Sequence, residues 1–246
     1  MQLPWDKSDE ITGLMKSSLS LRTLLAQDSE DMDLKELKLT SVRVIHCPNP
    51  YIIHRLINIT HLRYLDLSES EIVRLPNSIC MLYNLQSLRI NNCGKLRFLP
   101  EGMRTMRQLT HIYLLGCTRL KGMPPKLSLL HNLCTLTSFI VDTGDGFGIE
   151  ELKDLRQLGN TLELFNLRKV KSGSKVNLHE KKNLTGLFLC WGRDVGYNPL
   201  HDEVVSNNQE VLESLVPHTK LKTLELHGYG GLAISQWMRD PQKFVV

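Results

Sequence analysis

Close cysteine pairs, long apolar runs and an export signal are all missing from this sequence of 246 residues. Its six cysteines are scattered without any Cys-x-x-Cys spacing, which argues against a disulfide framework or a cysteine zinc site. No segment approaches the roughly 18 consecutive apolar residues of a transmembrane helix, so no membrane span is expected. The N-terminus has no basic start followed by an apolar run, so it does not resemble a signal peptide. Free thiols without an export signal predict a cytoplasmic location.

Signatures of catalysis and metal binding are missing as well. Nine histidines show no compact ligand spacing, and the nucleophile-elbow, kinase and Walker A motifs do not occur. We therefore assign no catalytic residue, cofactor or metal ligand, and expect a protein that is not an enzyme. The glycines at 144, 146 and 148 resemble a phosphate-binding loop, but their spacing fits neither the dinucleotide nor the Walker A pattern. A nucleotide-binding enzyme is the alternative that calorimetry with ATP, ADP or NAD would test.

Charge of one sign is not concentrated anywhere in the chain. The net charge is +4, and the nearest approach to a basic block is HEKKN at His179–Asn183. We interpret this stretch as a solvated helix start, because a short charged run is usually an exposed face. No nucleic-acid partner is therefore expected.

Leucines at regular intervals are what the sequence has in abundance. In LRYLDL, residues 62–67, Leu65 has eight counterparts along the chain in a similar pattern. These are Leu24, Ile45, Leu88, Ile112, Leu136, Leu162, Leu187 and Leu224. Most neighbours are separated by 20 to 26 residues, and the last two by 37. Periods of about 20 to 29 with a Leu-x-x-Leu-x-Leu pattern are the signature of a leucine-rich repeat.

Each repeat is predicted to contribute one short strand and one return segment. Alternate strand residues such as Leu65 and Leu67 point inward. Small or polar residues then satisfy backbone groups in the following bend, at Ser70, Cys93 and Cys117. Apolar residues at intervals of three predict short α- or 3₁₀-helical return segments, and the repeats must stack because one repeat cannot bury its own apolar edge. The expected fold class is an α/β leucine-rich-repeat solenoid, curved, with a parallel β-sheet on the concave face and short helices and loops on the convex face.

The domain boundaries follow from where the repeats start and stop. We expect a lead-in at residues 1–20, a domain of about nine irregular repeats at residues 21–238 and a tail at residues 239–246. Neither end resembles a finished polar cap, which predicts that the chain is cut from something longer.

Two stretches of the second half depart from the regular repeat. We expect a helix from Gly148 that stops at Gly159, because apolar residues recur on one face and glycine commonly ends a helix. We also expect a surface excursion from about Gly192 to Asn208, followed by a helix that ends before Pro217.

The strand residues between the inward positions face outward and form the candidate binding surface. This concave column mixes aromatic rings with arginine and carboxylates, which suits protein recognition better than a uniform polar face. The predicted protein-binding residues are Tyr64, Asp66, Arg89, His111, Tyr113, Glu163, Phe188, Trp191 and Glu225. The alternative is that single exposed apolar residues are ordinary on any surface.

Four of these residues are expected to form one contiguous patch. Tyr64, Asp66, Arg89 and Tyr113 lie on consecutive predicted strands, which stack ~5 Å apart. Two aromatic rings with an arginine and a carboxylate match the composition of interface hot spots. The alternative is that Asp66 and Arg89 merely form a surface ion pair, worth about 0–1 kcal/mol.

Four stretches of the second half carry a family resemblance: Gly148–Val170, Leu178–Gly192, Glu210–Gly231 and Ser235–Met238. Together with the leucine repeats, they make the chain resemble the leucine-rich-repeat region of plant intracellular disease-resistance proteins of the coiled-coil/NB-ARC/leucine-rich-repeat class. The resemblance covers roughly residues 21–238.

This resemblance implies the recognition module of a cytoplasmic immune receptor. In that class the repeats sense a pathogen effector, or its action on a host protein, and restrain the nucleotide switch of the NB-ARC domain. This chain has no nucleotide-binding loop, so ATP binding and switching are not assigned to it. The alternative is a general intracellular scaffold or signalling adaptor of the Ras-suppressor type. The long irregular stretch from Phe139 to Gly231 argues against that alternative, whose repeats would stay short and even.

Overall fold

The computed structural model describes residues 21–25, 41–49, 53–56, 59–171, 174–192 and 202–239. The chain divides into two compact units, Met1–Leu120 and Lys121–Val246. The predicted lead-in and the tail from residue 240 onward lie outside the described residues. Each unit is a stack of leucine-rich repeats with parallel strands, which confirms the predicted fold class.

Short parallel strands form the sheet of the first unit. The strands are β1 (Thr23–Leu25), β2 (Val44–His46), β3 (Tyr64–Asp66), β4 (Ser87–Arg89) and β5 (His111–Tyr113). Each strand pairs with the next one in the chain, and the central residue of each is aligned with the central residue of its neighbour. These central residues are the predicted repeat positions Leu24, Ile45, Leu65, Leu88 and Ile112. The predicted phase of the repeats is therefore confirmed in this unit.

The return segments of the first unit are short helices, as the interval of three predicts. They are an α-helix at Ile53–Leu56 and 3₁₀-helices at Asn77–Met81 and Glu101–Thr105. Their apolar residues meet the inward strand residues, so that Leu65, Leu88 and Ile112 are fully buried.

Thiols satisfy backbone groups in the bends after the strands. The Cys93 thiol donates to the Leu67 carbonyl at 3.2 Å, and the Cys117 thiol donates to the Ile90 carbonyl at 2.9 Å. Ser70 and Cys93 also share a hydrogen bond of 3.3 Å. Burial raises the pKa of the Cys93 thiol, which keeps it a neutral donor. The predicted role in the bends is confirmed for Cys93 and Cys117, whereas the Ser70 hydroxyl is described in contact with the Cys93 thiol and not with a backbone group.

The second unit contains both short and longer strands. They are β6 (Thr135–Leu136), β7 (Ser138–Ile140), β8 (Gly159–Phe165), β9 (Asn183–Cys190) and β10 (Thr223–His227), of which the last four form one sheet in chain order. All the pairs in this sheet are parallel, and Leu162, Leu187 and Leu224 are aligned as predicted. The strand β7, which aligns Phe139 with Leu164, was not predicted.

The predicted helix between Gly148 and Gly159 is shorter than expected. The structure has a 3₁₀-helix only at Ile149–Leu152, and Gly159 begins β8 instead of ending a helix. The backbone N–H of Gly159 donates to the Cys134 carbonyl at 2.9 Å, which draws this residue into the strand. The predicted burial of Ile149, Leu152, Leu155 and Leu158 is confirmed, and their interval of three fits the tighter 3₁₀ turn.

The predicted excursion from Gly192 to Asn208 is wrong in its last part. Residues 193–201 lie outside the described residues, but an α-helix occupies Asp202–Ser214. The buried side of this helix is formed, at helical spacing, by Asn208, Val211, Leu212 and Leu215. The polar residue Asn208 therefore lies on the inward side of the helix. The predicted end before Pro217 is confirmed. The other return segments are 3₁₀-helices at Leu127–Leu129, Leu167–Lys169 and Leu178–Glu180, and an α-helix at Gln236–Arg239.

The interpretation of HEKKN as a solvated stretch is wrong for Lys181, which is fully buried. Its ammonium group donates to the carbonyls of Leu152 and Leu155 at 2.7 and 3.0 Å, beside the return segment of the preceding repeat. Burial lowers the pKa of Lys181 to about 8, a shift that the carboxylates of Glu180 and Asp154 oppose. This lysine therefore ties two neighbouring repeats together from inside the core.

Candidate functional site

The outward residues of β2 to β5 form a continuous surface on the first unit. Asp66, Arg89 and Tyr113 are aligned on neighbouring strands, and Tyr64 and His111 flank Ser87 in the row beside them. We call Tyr64, Asp66, Arg89, His111 and Tyr113 the tyrosine–arginine patch. The structure thus brings together the four residues of the predicted patch, with His111 beside them.

Arg89 lies at the centre of this patch and is held by aromatic neighbours. Its guanidinium lies 5.2 Å from the ring centroid of Tyr113. A hydrogen bond with the Tyr64 side chain raises the pKa of Arg89, and the nearby Asp66 carboxylate raises it further. The ring of His111 stacks on Tyr113 with centroids 6.2 Å apart. Arg89 therefore stays charged and has a defined position before any partner binds.

Asp66 is more covered than its place in an outward column predicts, with only 8% of its surface exposed. Its carboxylate accepts from the Ser68 backbone N–H at 2.9 Å and from the Tyr64 hydroxyl at 3.4 Å, and His46 Nδ1 lies 3.3 Å away. These contacts hold the carboxylate, while its negative charge also attracts the neighbouring Arg89 guanidinium. Asp66 positions Tyr64 and His46, while the rings and the guanidinium form the accessible part of the patch.

The outward residues of β8, β9 and β10 form a second surface, on the second unit. Glu163, Phe188 and Glu225 are aligned across the three strands. Phe165 and His227 lie beside Phe188, with ring centroids 5.8 and 4.4 Å from its own. We call these five residues the aromatic–acid face. Two of them, Phe165 and His227, follow an outward glutamate by two positions, so the period of a strand places them on this face.

Trp191 does not belong to this surface, although it was predicted to be a binding residue. It is fully buried and packs edge-on against Tyr229, with ring centroids 4.8 Å apart. Strand side chains alternate between the two faces, so Trp191, three residues after the outward Phe188, points inward. The prediction was wrong because it treated a neighbour in sequence as a neighbour on the surface.

The glycine loop at 144–148 is built by local packing. Gly146 has a left-handed backbone with φ 78°, and its carbonyl accepts from the Lys126 backbone N–H at 2.9 Å. The loop borders a cavity of about 250 Å³ whose other lining residues include Asp142, Glu150 and Glu151. Lys169 contacts the Asp142 carboxylate at 2.9 Å and lowers its pKa. Four carboxylates line this cavity against two lysines, Lys169 and Lys171, a balance that disfavours a phosphate, so the loop gives no support to nucleotide binding.

Two further features of the described residues bear on function. Within the described ranges, no three His, Cys, Asp or Glu side chains converge in a way that could hold a metal ion. Among the helices in that same part of the chain, none has the length and apolar character required to span a bilayer.

Comparisons with known proteins agree with the repeat architecture. A family model described as R13L1/DRL21 LRRs matches residues 149–245. A disease resistance protein of Arabidopsis thaliana is 33% identical over 247 residues, which cover 98% of this chain and 17% of that protein. The disease resistance protein RGA4 of Solanum bulbocastanum is 38% identical over 259 residues, which cover 94% of this chain and 25% of that protein. The chain thus spans a quarter or less of the length of these two relatives.

A solved structure of a leucine-rich-repeat protein from Leptospira interrogans is also similar. Its sequence identity is 21% and its TM-score is 0.44, with 94% of this chain and 70% of the other covered.

Proposed function

Since this chain carries leucine-rich repeats of the R13L1/DRL21 type and resembles plant disease resistance proteins over most of its length, we propose that it is the protein-recognition module of a plant immune receptor. The similarity to disease resistance proteins confirms the resemblance inferred from the sequence. In the proposal, the repeats sense a pathogen effector or a host protein that an effector has modified. They also restrain an NB-ARC domain elsewhere in the receptor, and the receptor acts in the cytoplasm.

The tyrosine–arginine patch is the observation that carries this proposal. Tyrosine and arginine, with tryptophan, are the residues enriched where interfaces concentrate their binding energy. Arg89 is already held by Tyr64 and Tyr113, so binding a partner costs less side-chain entropy than it would for a free arginine. A patch of this kind favours recognition of a protein over a purely structural role for the sheet.

The irregular second unit favours this function over an adaptor with short, even repeats. Its sheet contains strands of 7 and 8 residues, compared with 3 residues in each strand of the first unit. It also contains a 13-residue α-helix at Asp202–Ser214.

The test expresses the parent receptor in leaf cells and measures its defence response to the cognate pathogen. We expect Arg89→Ala and Tyr113→Ala each to weaken partner binding by about 2 kcal/mol or more, enough to abolish the response, because both side chains belong to one hot spot. Arg97→Ala and Tyr83→Ala are matched controls, because both residues are exposed and lie outside the patch. These controls should respond normally.

The melting temperature of the isolated chain separates recognition from folding. It should hardly change in any of the four variants. A normal response in both patch variants would contradict the proposal. A loss of response that follows a loss of folding would assign the patch a structural role.

A further inference from the structure

The aromatic–acid face has the charge and chemistry to receive a cation from a partner. It presents the carboxylates of Glu163 and Glu225 together with three rings, and none of its five residues is a lysine or an arginine. The two carboxylates flank Phe188, one strand to either side, at the usual strand spacing of ~5 Å. A cation above the Phe188 ring would be attracted by the ring face and by a carboxylate on each side.

Gly186, which has no side chain, leaves a gap in the surface beside the Phe188 ring. It lies two residues before Phe188 and is aligned with Thr161 and Thr223. A Cβ atom at this position would lie 2.7 and 2.8 Å from the two threonine hydroxyl oxygens, so a larger residue would not fit without displacing them. The result is a notch beside the ring, bordered by two hydroxyl groups that can hydrogen-bond to an incoming chain.

The groups around Phe188 are held in place before a ligand arrives. The Ser138 hydroxyl donates to a Glu163 carboxylate oxygen at 2.8 Å, and His227 Nε2 lies 3.6 Å from a Glu225 carboxylate oxygen. The His227 ring stacks on Phe188 with an interplanar angle of 23°. Groups fixed in this way lose little freedom on binding, which favours affinity.

The first unit shows which cation suits such rings in this chain. The Arg74 guanidinium lies 4.5 Å from the ring centroid of Phe98, and the Arg89 guanidinium lies 5.2 Å from that of Tyr113. In both pairs an arginine of the chain itself covers the ring. The ring contacts described for Phe188 are instead with Phe165 and His227. The aligned Glu163 and Glu225 lie to either side, so an arginine from another molecule would complement this face.

We propose that the aromatic–acid face binds an arginine side chain in an extended segment of a partner protein. The guanidinium stacks on the face of the Phe188 ring that His227 does not cover, and it hydrogen-bonds to Glu163 or Glu225, since its planar fork matches a carboxylate. The inference rests on the proposed function, because it specifies the chemistry of the protein that the repeats recognise. The tyrosine–arginine patch, which carries its own arginine, would not select the same group.

The test titrates a nine-residue peptide of glycine and serine with one central arginine into the whole isotope-labelled chain. Nuclear magnetic resonance should show saturable shifts confined to β8, β9 and β10. A peptide with citrulline, which keeps the shape of arginine but lacks its charge, should lose the binding. Phe188→Leu should lower the affinity for the arginine peptide by between about twofold and thirtyfold, the range expected for a cation on an aromatic face. Glu163→Gln and Glu225→Gln should each lower the affinity for this peptide by up to about fivefold.

Phe98→Leu is the matched control, because it removes an aromatic ring that already has an arginine above it. It should leave binding of the peptide unchanged. Equal affinity for the citrulline peptide, binding of a glutamate peptide, no saturable shift, or an equal effect of Phe98→Leu would each overturn the proposal. Self-association that Phe188→Leu abolishes would also overturn it, by showing that a second copy of the chain covers this face.

These outcomes are distinct from failure of the recognition proposal. If the peptide fails to bind while the parent receptor still depends on Arg89, the arginine site alone is wrong. If the peptide binds while the Arg89 and Tyr113 variants respond normally, the site is retained and the role of the tyrosine–arginine patch is wrong.

Discussion

Replacing the buried Lys181 by methionine should change how the stability of the chain depends on pH. In the folded chain the Lys181 amine titrates near pH 8, whereas its ordinary pKa is 10.5. Between these values the unfolded chain binds a proton that the folded chain has released, so the free energy of unfolding rises with pH. This contribution is complete above the unfolded pKa and is lost as the pH falls through the folded one. The neutral amine still has two N–H groups, which are enough for the carbonyls of Leu152 and Leu155.

The expected size of the effect follows from the difference between the two pKa values. One pKa unit corresponds to about 1.4 kcal/mol, so the wild-type chain should gain about 2 to 3 kcal/mol from Lys181 between pH 7 and pH 10. Lys181→Met lacks this gain and removes one of two donors to each carbonyl, since the backbone N–H groups of Leu155 and Leu158 still donate to them. Each lost hydrogen bond should cost about 0.5 to 1.5 kcal/mol. At pH 7 that cost is partly offset, because the variant no longer buries a charge. The variant should therefore fall further behind the wild type as the pH rises.

Urea unfolding of both proteins at several pH values, followed by circular dichroism, measures this difference. Titrations of other cysteines, tyrosines and lysines are common to both proteins and cancel in the comparison. Lys182→Met is the matched control, because Lys182 is the exposed neighbour of Lys181. Its curve should run parallel to that of the wild type. If the Lys181→Met curve is parallel as well, the buried amine is not the titrating group and the argument is refuted.

Two further substitutions test the packing of the second unit. Gly159→Ala should lower stability by about 1 to 3 kcal/mol, because a Cβ there would lie 2.8 Å from the Asn183 carbonyl oxygen. The control Gly122→Ala, whose Cβ would meet no atom within 4 Å, should leave the urea midpoint unchanged, and equal midpoints in both variants would contradict the clash. Trp191→Ala should lower stability by about 3 to 5 kcal/mol, because the indole is buried against Tyr229. A loss of stability below about 0.5 kcal/mol in calorimetry would contradict the burial of Trp191 and indicate that its side chain is exposed.

The sequence was sufficient to place the repeat strands because their central residues have one physical role. Leu65 and its counterparts from Leu24 to Leu187 are buried on their strands, where only an apolar side chain fits, so their spacing records the fold directly; Leu224 on β10 is half-buried. The strand β7 escaped detection because its core residue, Phe139, lies outside the leucine pattern. Its position is set by pairing with β8, which is a long-range interaction that leaves no local signal.

For the candidate surfaces, the sequence predicted only those residues whose outward position follows from the alternation of side chains along a strand. The outward positions of Arg89, Tyr113 and Phe188 follow from a period of two, and the structure confirms that they lie on the outward face. The burial of Lys181 could not be foreseen, because it depends on two carbonyls that belong to the preceding repeat. Nothing in the sequence around Lys181, which stands beside another lysine, indicates that the core contains carbonyl acceptors for its ammonium group.

The buried thiols of the first unit also allow the rate at which single repeats open to be measured. Cys93 and Cys117 are at most 1% exposed, and both are engaged as donors to carbonyls. An alkylating reagent attacks the thiolate, so it can react with them only after the surrounding repeat has opened to water. The rate at which each thiol is alkylated in the native chain therefore reports the local opening of its own repeat, without any introduced cysteine.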